Sequence, residues 1–213
     1  MRLRYVPGQY KYLRNHEKAI TEPEKTGYKL NRAFNNKNPI HVELGCGKGR
    51  FLRETALKNQ DINYFGFEKN IKVAYRCAKC EYENDPPNYF IVYSNGDILS
   101  DVFEPESIER IYLNFSDPWP KPSHYKRRLT YKKFLDVYKV VLTDSGEIHM
   151  KTDNNDLFEY SVEQFKEDNW EFLMVTRDLH GSQYAEDNVM TEYEERFVSE
   201  GKKINKLIVR KNG

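Results

Sequence analysis

The chain has 213 residues, enough for one well-buried domain and short for two. Charged residues make up 31% and aromatic residues 14%, which excludes a disordered chain and fits a globular one with an aromatic-rich surface or pocket. A net charge of +1 excludes any global attraction to nucleic acid, so such binding has to come from local clustering.

The chain opens with a basic arm over about residues 1–20, carrying Arg2, Arg4, Lys11 and Arg14. This arm lacks the apolar core of a signal peptide, and no apolar run approaches the roughly 20 residues of a membrane span. A cytoplasmic location with no membrane contact is expected. Beyond the arm, apolar runs alternate with segments of helical period. That alternation predicts a single α/β domain over residues 1–213, with a doubly wound, mostly parallel sheet of seven strands and helices on both faces.

The first predicted strand is Ile40 to Leu44, followed by a helix from about Gly49 to Lys58 that buries Phe51, Leu52 and Ala56, with Leu57 at the margin of that face. Strands follow over 62–68, 89–95 and 108–115, with a helix from Asn70 to Tyr82 after the first of them. A helix over Tyr131 to Leu142, a turn at Asp144 to Gly146, a strand over 147–153 and a helix over Leu157 to Phe165 lead to last strands over 170–176 and 204–210. Cys46, Cys77 and Cys80 are an odd set, which argues against a disulfide framework. Cys77 and Cys80 form a C-x-x-C with no second ligand pair for zinc, so no metal is expected and both are read as lying on the apolar face of their helix.

Ligands of open α/β sheets bind beyond the carboxyl ends of the strands. Glu43, Glu68, Asn95, Asp117 and Asp153 all fall at or just past such ends. The stretch VELGCGKGRF sets Gly45, Gly47 and Gly49 directly after the first strand, where a tight turn lets a ligand approach the backbone. Glu68, about 20 residues on, is placed to pair with a ribose diol. Arg50 stands where a dinucleotide fingerprint has its third glycine, which disfavours NAD, and Glu43 would repel a pyrophosphate. A ligand with adenosine and a cationic, amino-bearing group fits better, and S-adenosylmethionine is such a ligand. Asn95 would then sit near the adenine, or else serve only the turn that Asn95-Gly96-Asp97 readily forms.

The stretch NFSDPWPKP holds three prolines and cannot be a regular element, so Asp117 and Trp119 sit on a rigid loop at a strand end. Lys121, His124, Lys126, Arg127, Arg128, Lys132 and Lys133 follow with no acid among them, and Tyr125 and Tyr131 interleave, a pattern suited to RNA.

With the glycine loop, Glu68, FSDPWPKPSHYKRRLTY and TEYEERF in hand, the sequence resembles the bacterial tRNA (guanine-N7)-methyltransferase family over nearly its whole length. The resemblance implies a Rossmann-like class I methyltransferase that uses S-adenosylmethionine to methylate N7 of a guanine in the variable loop of tRNA. It also implies that Glu43, Glu68, Asn95 and Asp117 bind the cofactor, together with the loop glycines. Lys121, Asp153, Thr191, Glu192, Tyr193 and Glu194 fall on substrate positions, and His124, Tyr125, Lys126, Arg127, Arg128 and Leu129 on the RNA-contact segment. Guanine N7 carries an unprotonated in-plane lone pair, so the reaction needs positioning and charge stabilisation rather than a base. Asp117 is expected to supply both, Asp153 or Glu194 to accept from the guanine N1–H and amine, and Trp119 to pack beneath the loop. The competing readings are an amine methyltransferase, a non-catalytic RNA-binding module and a dehydrogenase. Oligomeric state is open.

Overall fold

The computed structural model describes residues 4–80, 84–186 and 188–212. Much of the expected basic arm is folded onto the domain: Gln9–Asn15 form helix α1, whose Leu13 is fully buried, and Ala19–Thr21 form the short strand β1. Arg2 lies outside the described residues. Then follow β2 (Ile40–Leu44), α2 (Arg50–Lys58), β3 (Asn63–Phe67), α3 (Ile71–Lys79), β4 (Tyr89–Tyr93), α4 (Leu99–Val102) and β5 (Ile108–Asn114). The remaining elements are α5 (Lys132–Val141), β6 (Leu142–Thr152), α6 (Asn155–Glu167), β7 (Trp170–Thr176), α7 (Glu192–Ser199) and β8 (Asn205–Lys211).

The sheet among the described residues has eight strands in the order β1-β4-β3-β2-β5-β6-β8-β7. Neighbours from β1 to β6 run parallel, and β8 is antiparallel to both β6 and β7. The strand beyond the expected seven is β1, which adds three residues to the edge of β4 through Ala19↔Ile91 and its neighbours. Strands β2 and β3 are buried throughout, as parallel strands covered on both faces are, and the polar His41, Glu43 and Asn63 are buried along with their apolar neighbours. On β5 alternate residues divide between the two cores: Ile111 and Leu113 join the larger one with Phe134 and Phe158, while Tyr112 joins the smaller one with Phe51 and Cys77.

Three local expectations are corrected. Leu57 is exposed, because α2 turns Phe51, Leu52, Thr55 and Ala56 inward and Leu57 lies a further 100° round the helix. Helix α3 ends at Lys79, so Cys80 is its exposed C-cap and does not share the buried face of Cys77; Tyr82 lies outside the described residues. The turn expected at 144–146 is absorbed into β6 as a bulge, the register jumping from Ile108↔Leu142 to Arg110↔Glu147.

The topology fixes where a ligand can bind. The chain winds outward from β2 through β3 to β4, then crosses to β5 on the other side of β2. The carboxyl ends of β2 and β5 therefore splay apart at a switch point and open a crevice.

Candidate functional site

The glycine loop after β2 forms one wall of that crevice. The Gly45 and Cys46 amides both donate to the Phe67 carbonyl, at 2.8 and 3.0 Å, which folds the loop back over the end of β3. Gly45, Gly47 and Gly49 have φ of 82°, 60° and 81°, all in the left-handed region. At Gly49 space forbids a side chain as well, since a Cβ there would lie 2.5 Å from Cys77 Sγ. Beneath the loop, the buried Glu43 accepts a 2.9 Å bond from Asn114 Nδ2 across the switch point, while its Oε2 has no partner. Burial pushes the Glu43 carboxyl up to about 7, against the opposing pull of Asn114 and Lys151. Glu68, just past β3, is also pushed upward by burial, and its Oε1 accepts from the Asn70 amide at 2.7 Å. The exposed Asn95 uses its Oδ1 to cap the short 3-10 turn Gly96–Ile98.

The proline loop leaves β5 under backbone strain. Phe115 and Trp119, at φ of 50° and 42°, are non-glycine residues in the left-handed region, and they bracket Asp117. The Asp117 side chain is 66% exposed, with Lys69 Nζ 3.7 Å away. What holds the loop is Arg128: its Nε donates to the Pro118 carbonyl at 2.8 Å and a terminal nitrogen to the Trp119 carbonyl at 3.3 Å. Its guanidinium lies against the Tyr125 and Tyr160 rings, 3.8 and 4.3 Å from their centroids. At 3% exposure Arg128 has no surface to offer a phosphate, which corrects its expected place among the RNA contacts. Leu129 likewise packs against the larger core. Lys121, Lys126 and Arg127 remain exposed, and His124 stands edge-on to Trp119. Trp119, half-buried, is framed by cations, Arg127 at 4.9 Å and Lys69 at 5.6 Å.

The far wall comes from α7. Thr191 caps it, its hydroxyl accepting from the Glu194 amide while the Glu194 side chain accepts from the Thr191 amide. Glu194 is 0% exposed and also accepts from Lys151 at 2.6 Å, Asn188 at 2.6 Å and His180 at 3.0 Å. With both oxygens engaged and no surface, it cannot read a guanine edge, which corrects that expectation; it ties α7 to the end of β6. Asp153, just past β6, is half-buried 3.3 Å from Lys202. Glu192 and Tyr193 are exposed and line the cleft with Glu43, the glycine loop, Asn114 and Phe115. Lys48 pairs with Glu192 at 2.8 Å and Arg50 with Glu195, so two ion pairs close α7 onto the glycine loop and leave a cavity of only about 60 Å³.

Lys69, Lys48 and Lys151 were missed by sequence reasoning. Nothing in the sequence marks Lys151 as buried, whereas the T-x-x-E spacing of Thr191 and Glu194 is a capping-box signature from which the start of α7 is readable. Among the described residues no three or more His, Cys, Asp or Glu side chains are grouped to hold a metal ion, and no helix is long and apolar enough to cross a membrane.

The family model described as "Putative methyltransferase" matches residues 37–207. The chain is 44% identical over 208 residues to the tRNA (guanine-N(7)-)-methyltransferase of Lachnoclostridium phytofermentans, covering 98% of this chain and 97% of that protein. It is 47% identical over 208 residues to the enzyme of the same name from Brevibacillus brevis, covering 97% of each. Among solved structures it resembles an antibiotic related methyltransferase, with TM-score 0.66, 14% identity and coverage of 93% and 98% of the two chains. It also resembles the 16S rRNA methyltransferase KamB, with TM-score 0.60, 11% identity and coverage of 99% and 95%. The two structural likenesses establish the fold, and the two relatives, matched almost end to end, establish that the chain belongs to the bacterial tRNA (guanine-N7)-methyltransferase family.

Proposed function

We propose that this chain transfers the methyl group of S-adenosylmethionine to N7 of a guanine in the variable loop of tRNA, giving 7-methylguanosine, in the cytoplasm. The observation that carries the reading is the trio of carboxylates around the switch-point crevice, Glu43 buried, Glu68 half-buried and Asp117 exposed, beside a strained loop that runs into exposed cations. The residues present fit the cofactor, and admitting it requires the Lys48–Glu192 and Arg50–Glu195 pairs to part and widen the closed cleft. The orphaned, buried Glu43 Oε2 has room in its hydrogen bonding for an ammonium donor, and Glu68 has a second oxygen for a ribose diol. Gly45, Gly47 and Gly49 let the ligand lie against backbone, and Asn95 borders the adenine end. The cofactor supplies an electrophilic methyl group on a sulfonium.

In this reading the protein does no proton transfer at the nucleophile, because guanine N7 presents its lone pair without deprotonation. Asp117, fixed by the bracketing strain and by Arg128, orients the reacting pair and stabilises the positive charge that develops on the purine. Asp153 accepts from the guanine N1–H and amine, with Lys121 and the exposed start of α7, Glu192 and Tyr193, about the substrate. His124, Tyr125, Lys126 and Arg127 contact the RNA. The exposed cations suit phosphates, which position the substrate without reading its sequence.

Incubation with unmodified bulk tRNA and mass spectrometry of the nucleosides should give 7-methylguanosine. A tRNA carrying 7-deazaguanosine at the target keeps the N1–H, the amine and the shape but loses the nucleophilic lone pair. It should bind, compete and accept no methyl group. Transfer onto it would mean attack from another atom and would overturn the N7 assignment in favour of amine methylation.

A further inference from the structure

Apart from Asn114 and Lys151, the polar half of the sheet on the α2 side is not used by the reaction centre described above. By register, Arg110 stands beside Glu147, Tyr112 beside His149 and Asn114 beside Lys151, and Lys151 in turn beside Lys206. The alternate residues of the same strands, Ile148, Met150, Leu207 and Val209, are fully apolar and lie in the larger core. The sequence thus makes one face of β6 and β8 core and keeps the other polar except at Ile208. A parallel-rich sheet ordinarily covers both faces with apolar contacts, so this polarity calls for a reason.

A groove of about 480 Å³ lies on this polar face, walled by Thr55 and Lys58 of α2 on one side and Asn188 on the other. It adjoins the cofactor cleft, sharing Phe51 and Asn114 as common wall. Its floor is aromatic: Phe51 meets Tyr112 edge-on at 5.0 Å, and Tyr112 meets His149 edge-on at 5.5 Å. Lys58, Arg110, Lys151 and Lys206 line it as cations, Arg110 paired with Glu147 at 3.2 Å, against one acid, Glu186. Two side chains more than nine-tenths buried carry unpartnered polar atoms here, Thr55 Oγ1 at 5% exposure and Asn114 Oδ1 at 7%. Buried polar groups left unpaired in a folded protein await a ligand or water, and Asn114 Oδ1 can only accept.

We propose that this groove binds a nucleotide of the tRNA next to the target guanine, its base on the aromatic floor and its phosphate on the Lys58, Arg110 and Lys206 margin. The inference rests on the proposed tRNA reaction and extends it. The chemistry fits each part. A base brings a flat face for one ring of this edge-on floor and N–H donors for the polar lining, which a small shift of the Asn114 side chain would let its Oδ1 join, and a phosphate meets the cations. Since the groove shares a wall with the cofactor cleft, a strand whose guanine reaches the crevice can lay its neighbour here without a second binding event.

The test uses the whole chain with an unmodified tRNA transcript. Lys58→Glu reverses one exposed marginal charge. It should raise the KM for tRNA about tenfold at moderate salt and flatten the salt dependence of binding by about one counterion, with kcat changed less than twofold. Thr55→Val keeps the shape of the wall but removes the orphaned hydroxyl. It should raise KM as well while leaving the melting temperature equal or higher, a combination that a merely structural residue would not give. A photo-crosslinking amino acid at position 58 should capture nucleotides flanking the target. KM unchanged in both variants, or crosslinks to a second copy of the chain in place of RNA, would overturn the proposal. If wild-type protein methylates tRNA and the variants match it, this inference falls alone; if wild-type protein methylates no tRNA, the proposed function falls first.

Discussion

Replacing Arg128 by alanine should behave unlike replacing its neighbour Arg127, although the two are adjacent in one basic run. Arg128 donates two charge-assisted bonds to the Pro118 and Trp119 carbonyls from a site 3% exposed. Bonds to charged groups are worth about 1.5–3 kcal/mol each, but two bonds from one guanidinium are not additive, so a loss of about 3 kcal/mol is expected for Arg128→Ala. For a chain of this size that lowers the melting temperature by about 6–12 °C. The loop that carries Asp117 would lose its clamp as well. Because a misplacement of about 1 Å can slow a reaction roughly a hundredfold, the single-turnover rate should fall by about that factor even at saturating tRNA and cofactor. Arg127→Ala should change neither quantity and should weaken tRNA binding alone. Arg128→Lys keeps the charge without the planar fork and should recover only part of the loss. Calorimetry and rapid-quench methyl transfer decide the matter. If Arg128→Ala melts like wild type, transfers at the wild-type rate when saturated and only flattens the salt dependence of binding, Arg128 is a phosphate contact and the clamp reasoning is wrong.

Glu43, pushed up to about 7 by burial, contributes about 3 kcal/mol of stability that is fully present below its ordinary value near 4.5 and is lost as pH rises through about 7. Glu43→Gln should therefore be the more stable protein at pH 8, yet bind S-adenosylmethionine more weakly, and the rise of wild-type affinity between pH 5.5 and 7.5 should vanish in titration calorimetry of the variant. Asp117→Asn should fold normally and slow the saturated single turnover by at least about tenfold, because shape is kept and the charge facing the developing cation is removed; a wild-type rate would make Asp117 a loop residue only. Lys126 and Arg127 changed together to alanine should reduce the slope of log affinity against log salt by about two, with cofactor affinity unchanged, as filter binding across a salt series would report.

The parallel strands were legible because short stretches rich in apolar and aromatic residues alternate with segments of helical period, even though β2 carries His41 and Glu43 and β3 opens on Asn63. The crevice followed from topology, since polar residues just beyond successive strand ends can converge only at one edge. What escaped was decided by partners distant in sequence. Arg128 looks like any member of a basic run until Tyr160 of α6 is brought against its guanidinium. Glu194 looks like one acid of three in an exposed helix start, and its burial depends on Lys151 and His180 arriving from β6 and the segment after β7. Strand β1 has three residues, too few for a period of two to register, and exists because the edge of β4 offers it bonds. Leu57 was lost to the one-residue arithmetic of a helix face.

The strain around Asp117 and the chemistry proposed for it bear on each other. Non-glycine residues in the left-handed region cost about 1–3 kcal/mol apiece, so Phe115 and Trp119 together oppose folding by a few kcal/mol. The two Arg128 bonds are of the same order and offset them, while Pro118 and Pro120 narrow the alternatives open to the unfolded loop. A loop held by such opposed contributions has one conformation and little freedom to adjust when substrate arrives. That would handicap an enzyme whose catalytic group had to swing between taking and giving a proton. Methylation at guanine N7 asks for no such movement: the lone pair is ready, and the carboxylate has only to stand where charge will grow. On this reasoning rigidity is the catalytic contribution of the loop. Loosening it through Arg128 should then slow the reaction more than removing any exposed cation of the basic run.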